Sequence, residues 1–126
     1  MTQFTLLFAS ILGGLAVLFG AFGAHALKKI LNDDQLKSFE TGVKYQMYHS
    51  IVLLIIAFNF NLESTIEKYM VYSFMAGIIL FSFSIYGLVI SSANNKKLTF
   101  LGPITPLGGL LLVCGWALLV YSIIRM

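Results

Sequence analysis

The chain has 126 residues, 59% of them hydrophobic and 10% charged, with a net charge of +3 and a mean hydropathy of +0.91. A soluble domain carries about 25% charged residues, so this composition excludes a soluble globular fold, and with it nucleic-acid binding as the main business. Four stretches hold no charge at all, 1–27, 45–62, 69–95 and 98–124. Each reaches the roughly 18 residues that cross a hydrocarbon core at about 1.5 Å per residue.

In lipid every backbone N–H and C=O must find an internal partner, so runs this long are expected to be helices. Continuous apolar runs lack the alternation of a membrane β-barrel. The predicted fold is all-α: a polytopic membrane protein, one domain over 1–126, with four transmembrane helices in a compact bundle. Span 1 is expected over about 4–27. Its start, Met1-Thr2-Gln3-Phe4, has no positive charge, and the apolar run is longer than a signal-peptide core. It is read as a retained span, although Ala24-His25-Ala26 has the spacing of a cleavage site.

In the next segment, 28–44, Asn32 can cap a helix that Asp33 and Asp34 suit at its start, and Leu36, Phe39, Val43 and Met47 repeat at helical spacing. A short amphipathic helix is expected there, lying in the interface and bending into span 2 (about 45–62) near Gly42. Ser64-Thr65-Ile66-Glu67 fits a capping box that opens span 3, about 65–91. Within that span Ser82 and Ser84 stand among Phe81, Phe83 and Ile85, and the serines are expected to bond back to carbonyls one turn earlier and bend the helix. Asn94-Asn95-Lys96-Lys97 is a turn. Thr105-Pro106 reads as an N-cap followed by proline at the first helical position, opening span 4 at about 106–124.

Lys28, Lys29, Lys37, Lys44, Lys96 and Lys97 fall on one side of this layout, and only Lys68 and Arg125 on the other. The positive-inside rule then puts the loops 28–44 and 92–105 in the cytoplasm and both termini outside. Apart from Glu67 and Lys68 in the first turn of span 3, no Asp, Glu, Lys or Arg lies inside a predicted span, which counts against proton-coupled transporters and small multidrug exporters, since these use an intramembrane ionisable group. The polar residues that remain gather towards the cytoplasmic side: His25 at the end of span 1, Tyr45, Gln46 and His49 at the start of span 2, and Thr105 at the start of span 4. Such a cluster can bind a metal, relay protons or cradle a lipid headgroup. Two histidines without a carboxylate or thiolate fall short of the three or four ligands that zinc takes. No metal, cofactor or catalytic residue is therefore assigned, and hydrogen bonding between helices is the plainer expectation.

Small residues form the second signal. Ala9, Gly13, Ala16, Gly20 and Gly23 recur at three- and four-residue steps in span 1, and Gly108, Gly115 and Ser122 at sevens in span 4, with Gly109 beside the first. Small faces let helix backbones approach closely in lipid, within one bundle or along the seam of a homo-oligomer. Gly20→Leu and Gly109→Leu are expected to damage assembly more than any polar substitution. The single cysteine, Cys114, permits no intramolecular disulfide.

Three ordered motifs carry a resemblance over nearly the whole chain: Gly20-Ala21-Phe22-Gly23-Ala24-His25-Ala26-Leu27, then Thr41-Gly42-Val43-Lys44-Tyr45-Gln46-Met47-Tyr48-His49, then Thr105-Pro106-Leu107-Gly108-Gly109 with Gly115-Trp116. They resemble the domain-of-unknown-function 423 family of small four-span bacterial inner-membrane proteins, which has mitochondrial relatives in animals. The chain departs from the family's pattern at Phe83, where members tend to have glycine. The resemblance implies a bacterial inner membrane and four spans, but no enzyme activity and no substrate. The expected function is a structural, membrane-stabilising or assembly role in the cell envelope, its polar cluster contacting lipid headgroups or a partner. A small oligomeric channel or transporter is the alternative. Membrane lipids, and a second copy of the chain, are the expected partners.

Overall fold

Local chemistry sets where each helix begins. The computed structural model describes residues 1–126, the side chain of Ala24 excepted, and contains helices α1 (Thr2–His25), α2 (Asp33–Asn59), α3 (Thr65–Ile78), α4 (Ser84–Ala93) and α5 (Ile104–Ile124). A π-helical turn, Ile79–Phe83, joins α3 to α4 into one rod, and 3₁₀ turns at Leu27–Lys29 and Thr99–Leu101 lead out of α1 and into α5. At the start of α2 the Asn32 side chain accepts from the Gln35 amide at 2.8 Å while Gln35 Oε1 accepts from the Asn32 amide at 3.0 Å. Ser64 and Glu67 make the same reciprocal pair at the start of α3. Each box satisfies first-turn N–H groups that have no partner inside the helix. Leu62, between α2 and α3, adopts a left-handed φ of 57°. That conformation costs a leucine about 1 kcal/mol or more, and it is held by burial of the side chain, which is 1% exposed.

Among the described residues, three segments are long and apolar enough to cross a membrane: Thr2–Gly23, Thr65–Ala93 and Thr99–Ile124. Helix α2 has the length, but Asp33, Asp34, Lys37, Glu40 and Lys44 occupy its first half and Gln46, His49 and Ser50 follow. Only 51–58 is continuously apolar.

Helix α1 packs mainly on α2, α5 packs mainly on α3 and the π turn, and α2 lies against the α3–α4 rod. The molecule is thus two helical hairpins laid side by side. Leu53, Ile56, Met70, Phe74 and Ile78 are fully buried where α2 meets α3. A smaller cluster of Leu31, Phe39, Tyr86 and Val89 closes the opposite end. Between helices in lipid these contacts act through van der Waals packing rather than water exclusion.

Three sequence expectations change here. The expected interfacial helix and span 2 form one continuous helix, because α2 runs unbroken from Asp33 to Asn59 through Gly42. Gly42 serves as a contact: a methyl there would meet the Tyr86 ring at 2.8 Å, and the Gly42 carbonyl accepts from Ser82 Oγ at 2.7 Å. Thr105 does not cap the last helix, which begins at Ile104; its hydroxyl lies 2.6 Å from Ser84 Oγ instead. The serines of the third span do not simply bond back one turn. Ser82 reaches across to α2, while Ser84 bonds the Phe81 carbonyl at 2.9 Å and Thr105.

Candidate functional site

Residues 45–50 of α2 project polar side chains in two directions, and each direction finds its own partners. Gln46 is fully buried. Its Nε2 donates to the Leu12 carbonyl of α1 at 2.8 Å, and its Oε1 accepts from the Tyr86 hydroxyl of α4 at 2.7 Å. One carboxamide therefore ties three helices. Ser82 adds its bond to the Gly42 carbonyl one turn away, and Ser50 Oγ donates to the Gln46 carbonyl at 2.6 Å. Tyr86 is packed between Phe39 and Phe19, with ring centroids 5.0 and 5.4 Å away.

His49 faces the other hairpin. Its Nδ1 is 2.7 Å from the Tyr45 carbonyl, and Trp116 Nε1 of α5 donates to its Nε2 at 3.2 Å. A carbonyl only accepts and an indole N–H only donates, so these partners define the neutral imidazole with its proton on Nδ1. Phe74 lies beneath both rings, 5.8 Å from His49 and 5.7 Å from Trp116. Above them a cleft of about 570 Å³ separates α2 from α5, bordered by Tyr45, Tyr48, His49, Gly109 and Trp116. Tyr45 stacks on Phe81 at 4.9 Å along one wall.

The polar residues that the sequence grouped together are thus distributed over separate sites. Gln46 belongs with Tyr86, His49 and Tyr45 with the cleft, and Thr105 with Ser84. His25 joins none of these; it is exposed at the end of α1, beside Lys29 in a shallow hollow. Tyr86 and Trp116 are the site residues that sequence reasoning passed over. The available signal was an O–H and an N–H in the middle of apolar runs, where each needs a partner.

The small residues also sort differently from expectation. A side chain at Gly108 would run into the Phe81 amide nitrogen, with the Leu80 carbonyl carbon 2.6 Å away. Here helix α5 touches the backbone of the π turn. Gly115 and Gly23 meet the rings of Phe74 and Phe39, at 2.8 and 2.6 Å. At Gly20, Gly109 and Gly13 the nearest neighbours stand at 3.6, 3.6 and 3.9 Å, ordinary contact distances. Gly20 and Gly109 are therefore not the tightest positions, because neither faces a neighbouring backbone.

Fold and site together define a multi-pass, all-α membrane protein whose buried polar side chains join one helix to another. The chain belongs to the family described as Protein of unknown function (DUF423), whose model matches residues 19–109. It is 40% identical over 108 residues to a UPF0382 membrane protein of Staphylococcus aureus (strain bovine RF122), covering 86% of this chain and 84% of that one. It is 38% identical to the UPF0382 membrane protein YwdK of Bacillus subtilis, over 88% of each chain. With the UPF0382 inner membrane protein YgdD of Escherichia coli K12 the identity is 36%, over 99% of this chain and 92% of the relative. No solved structure matches the chain.

Proposed function

We propose that this is a four-span inner-membrane protein without a catalytic centre, acting in the stability of the cell envelope or the assembly of its membrane components. In this reading α2 is the fourth span. The loops 28–44 and 92–105 are cytoplasmic, both termini are outside, and lipids or a second copy are the direct partners. The observation that carries it is the fate of the Gln46 carboxamide, the largest of the fully buried polar side chains, which bonds Leu12 and Tyr86. Polar groups spent on joining helices are not available to a substrate or an ion. The name of the Escherichia coli relative supports the inner membrane, and the lysine distribution supports the orientation.

Two measurements test the reading. Cys114 is the only cysteine, so a Cys114→Ala background carrying single cysteines at residues 30, 63 or 96 reports sidedness with a membrane-impermeant maleimide. Residues 30 and 96 are expected to be protected in intact cells and residue 63, exposed in the α2–α3 connection, labelled. Reconstituted protein is expected to pass no ions or small solutes, while deletion of the gene raises envelope stress. Solute flux that disappears in His49→Ala would replace this reading with that of a small channel or transporter.

A further inference from the structure

Lys44, Tyr48 and Val52 follow one another at four-residue steps on α2, so they form one stripe along the helix. It passes from a cation through a phenol to an aliphatic side chain, in the direction that leads from the charged half of α2 into its apolar half. Tyr48 and Val52 line the cleft of about 570 Å³, with Gly109, Val113 and Trp116 on the facing wall. Lys44 stands one turn, about 6 Å, beyond Tyr48, and both are exposed. Glu40 lies one turn further out. Along the cleft wall from 45 to 52 the helix rises about 10 Å.

A phospholipid presents the complementary chemistry in the same order: phosphate, then ester carbonyl, then acyl chain. We propose that the α2–α5 cleft holds one phospholipid with a net negative headgroup. Its phosphate sits at the Lys44 ammonium, an ester carbonyl accepts from the Tyr48 hydroxyl, and an acyl chain lies against Val52, Val113 and Trp116. An acyl chain is far narrower than the 10–12 Å of a helix, so it enters without separating the Trp116–His49 bond that closes the floor. The lipid is then a fixed component of the α2–α5 face rather than bulk solvent. This inference rests on the reading of α2 as a span.

Trp116 is the only tryptophan in the chain, so its fluorescence reports on the cleft alone. The protein is placed in phosphatidylcholine nanodiscs containing a minor fraction of phosphatidylglycerol with brominated acyl chains. A parallel sample carries the same fraction of brominated phosphatidylcholine. Brominated phosphatidylglycerol is expected to quench as though enriched about fivefold at Trp116, the scale of one lysine attracting an anionic lipid. Lys44→Gln, an exposed change, is expected to abolish that enrichment and leave quenching by brominated phosphatidylcholine untouched. Equal quenching by the two lipids, or an enrichment that survives Lys44→Gln, would overturn the site while leaving the four-span reading standing. Quenching by neither lipid would overturn both, because the α2–α5 face would then not meet the bilayer.

Discussion

Removing the Gln46 carboxamide strands two groups at once, the Tyr86 hydroxyl and one lone pair of the Leu12 carbonyl. Gln46→Leu and Tyr86→Phe are each expected to destabilise the protein in mild detergent. A double-mutant cycle between them should give a coupling of about 0.6–1.7 kcal/mol, the range of interhelical hydrogen bonds in membranes. A coupling of zero in reversible unfolding would show that the bond carries no stability. At His49 the expected effect is spectroscopic. Replacing His49 by Phe removes the acceptor for the Trp116 N–H, so emission should move to the blue, whereas His25→Phe should leave it in place. At this scale the sequence revealed which residue types were out of keeping with lipid, but not whom they face. Gln46 and His49 are three residues apart, a spacing that places them on neighbouring parts of one face. The rotation of α2 nevertheless turns Gln46 towards α1 and α4 and His49 towards α5.

Among the elements, the π turn decides how closely the last helix can approach. Gly42 and Gly108 meet the α3–α4 rod at or near this turn, Gly42 through Ser82, Ile85 and Tyr86 and Gly108 through the backbone of Leu80 and Phe81. Gly108→Ala is therefore expected to cost about 1–3 kcal/mol by overpacking. Gly14→Ala, where no atom lies within 4 Å, should be neutral or stabilise by about 0.5–1 kcal/mol, since alanine is the better helix former. Thermal unfolding of the two variants in the same detergent checks the contrast, and equal midpoints would refute it. Helix existence, the cap at Asn32 and the capping box at Ser64–Glu67 were readable from apolar run length and residue spacing, whereas the reciprocal bond from Gln35 came only with the structure. The small-residue period was readable too. Which glycine touches backbone was not, because that depends on the π turn, a rare single-turn bulge that neither run length nor small-residue period reveals. The mixture of serines and phenylalanines at 81–84 marked the place without giving its form.

For the molecule as a whole, the division into two hairpins sets what holds it together. The first hairpin is α1 with α2 and the second is the α3–α4 rod with α5, and the connection at 60–64 is short. Fragments 1–62 and 63–126, expressed together, are expected to copurify from membranes. Combining Ser82→Ala with Tyr86→Phe should reduce the yield of the pair, since these hydroxyls donate across the junction. An unchanged yield would place the association in apolar packing alone. The bonds of Gln46 add an order in time. Its nitrogen is answered by Leu12, within the first hairpin, but its oxygen only by Tyr86, which is synthesised forty residues later. The first hairpin thus enters the bilayer carrying two acceptors still waiting for donors, Gln46 Oε1 and the His49 Nε2 that Trp116 later meets, a state that hydrocarbon penalises. The completed second hairpin removes that penalty. A nascent chain that stops short of residue 86 remains chemically distinguishable from a finished one, by an oxygen and an imidazole nitrogen left unanswered on its packing faces.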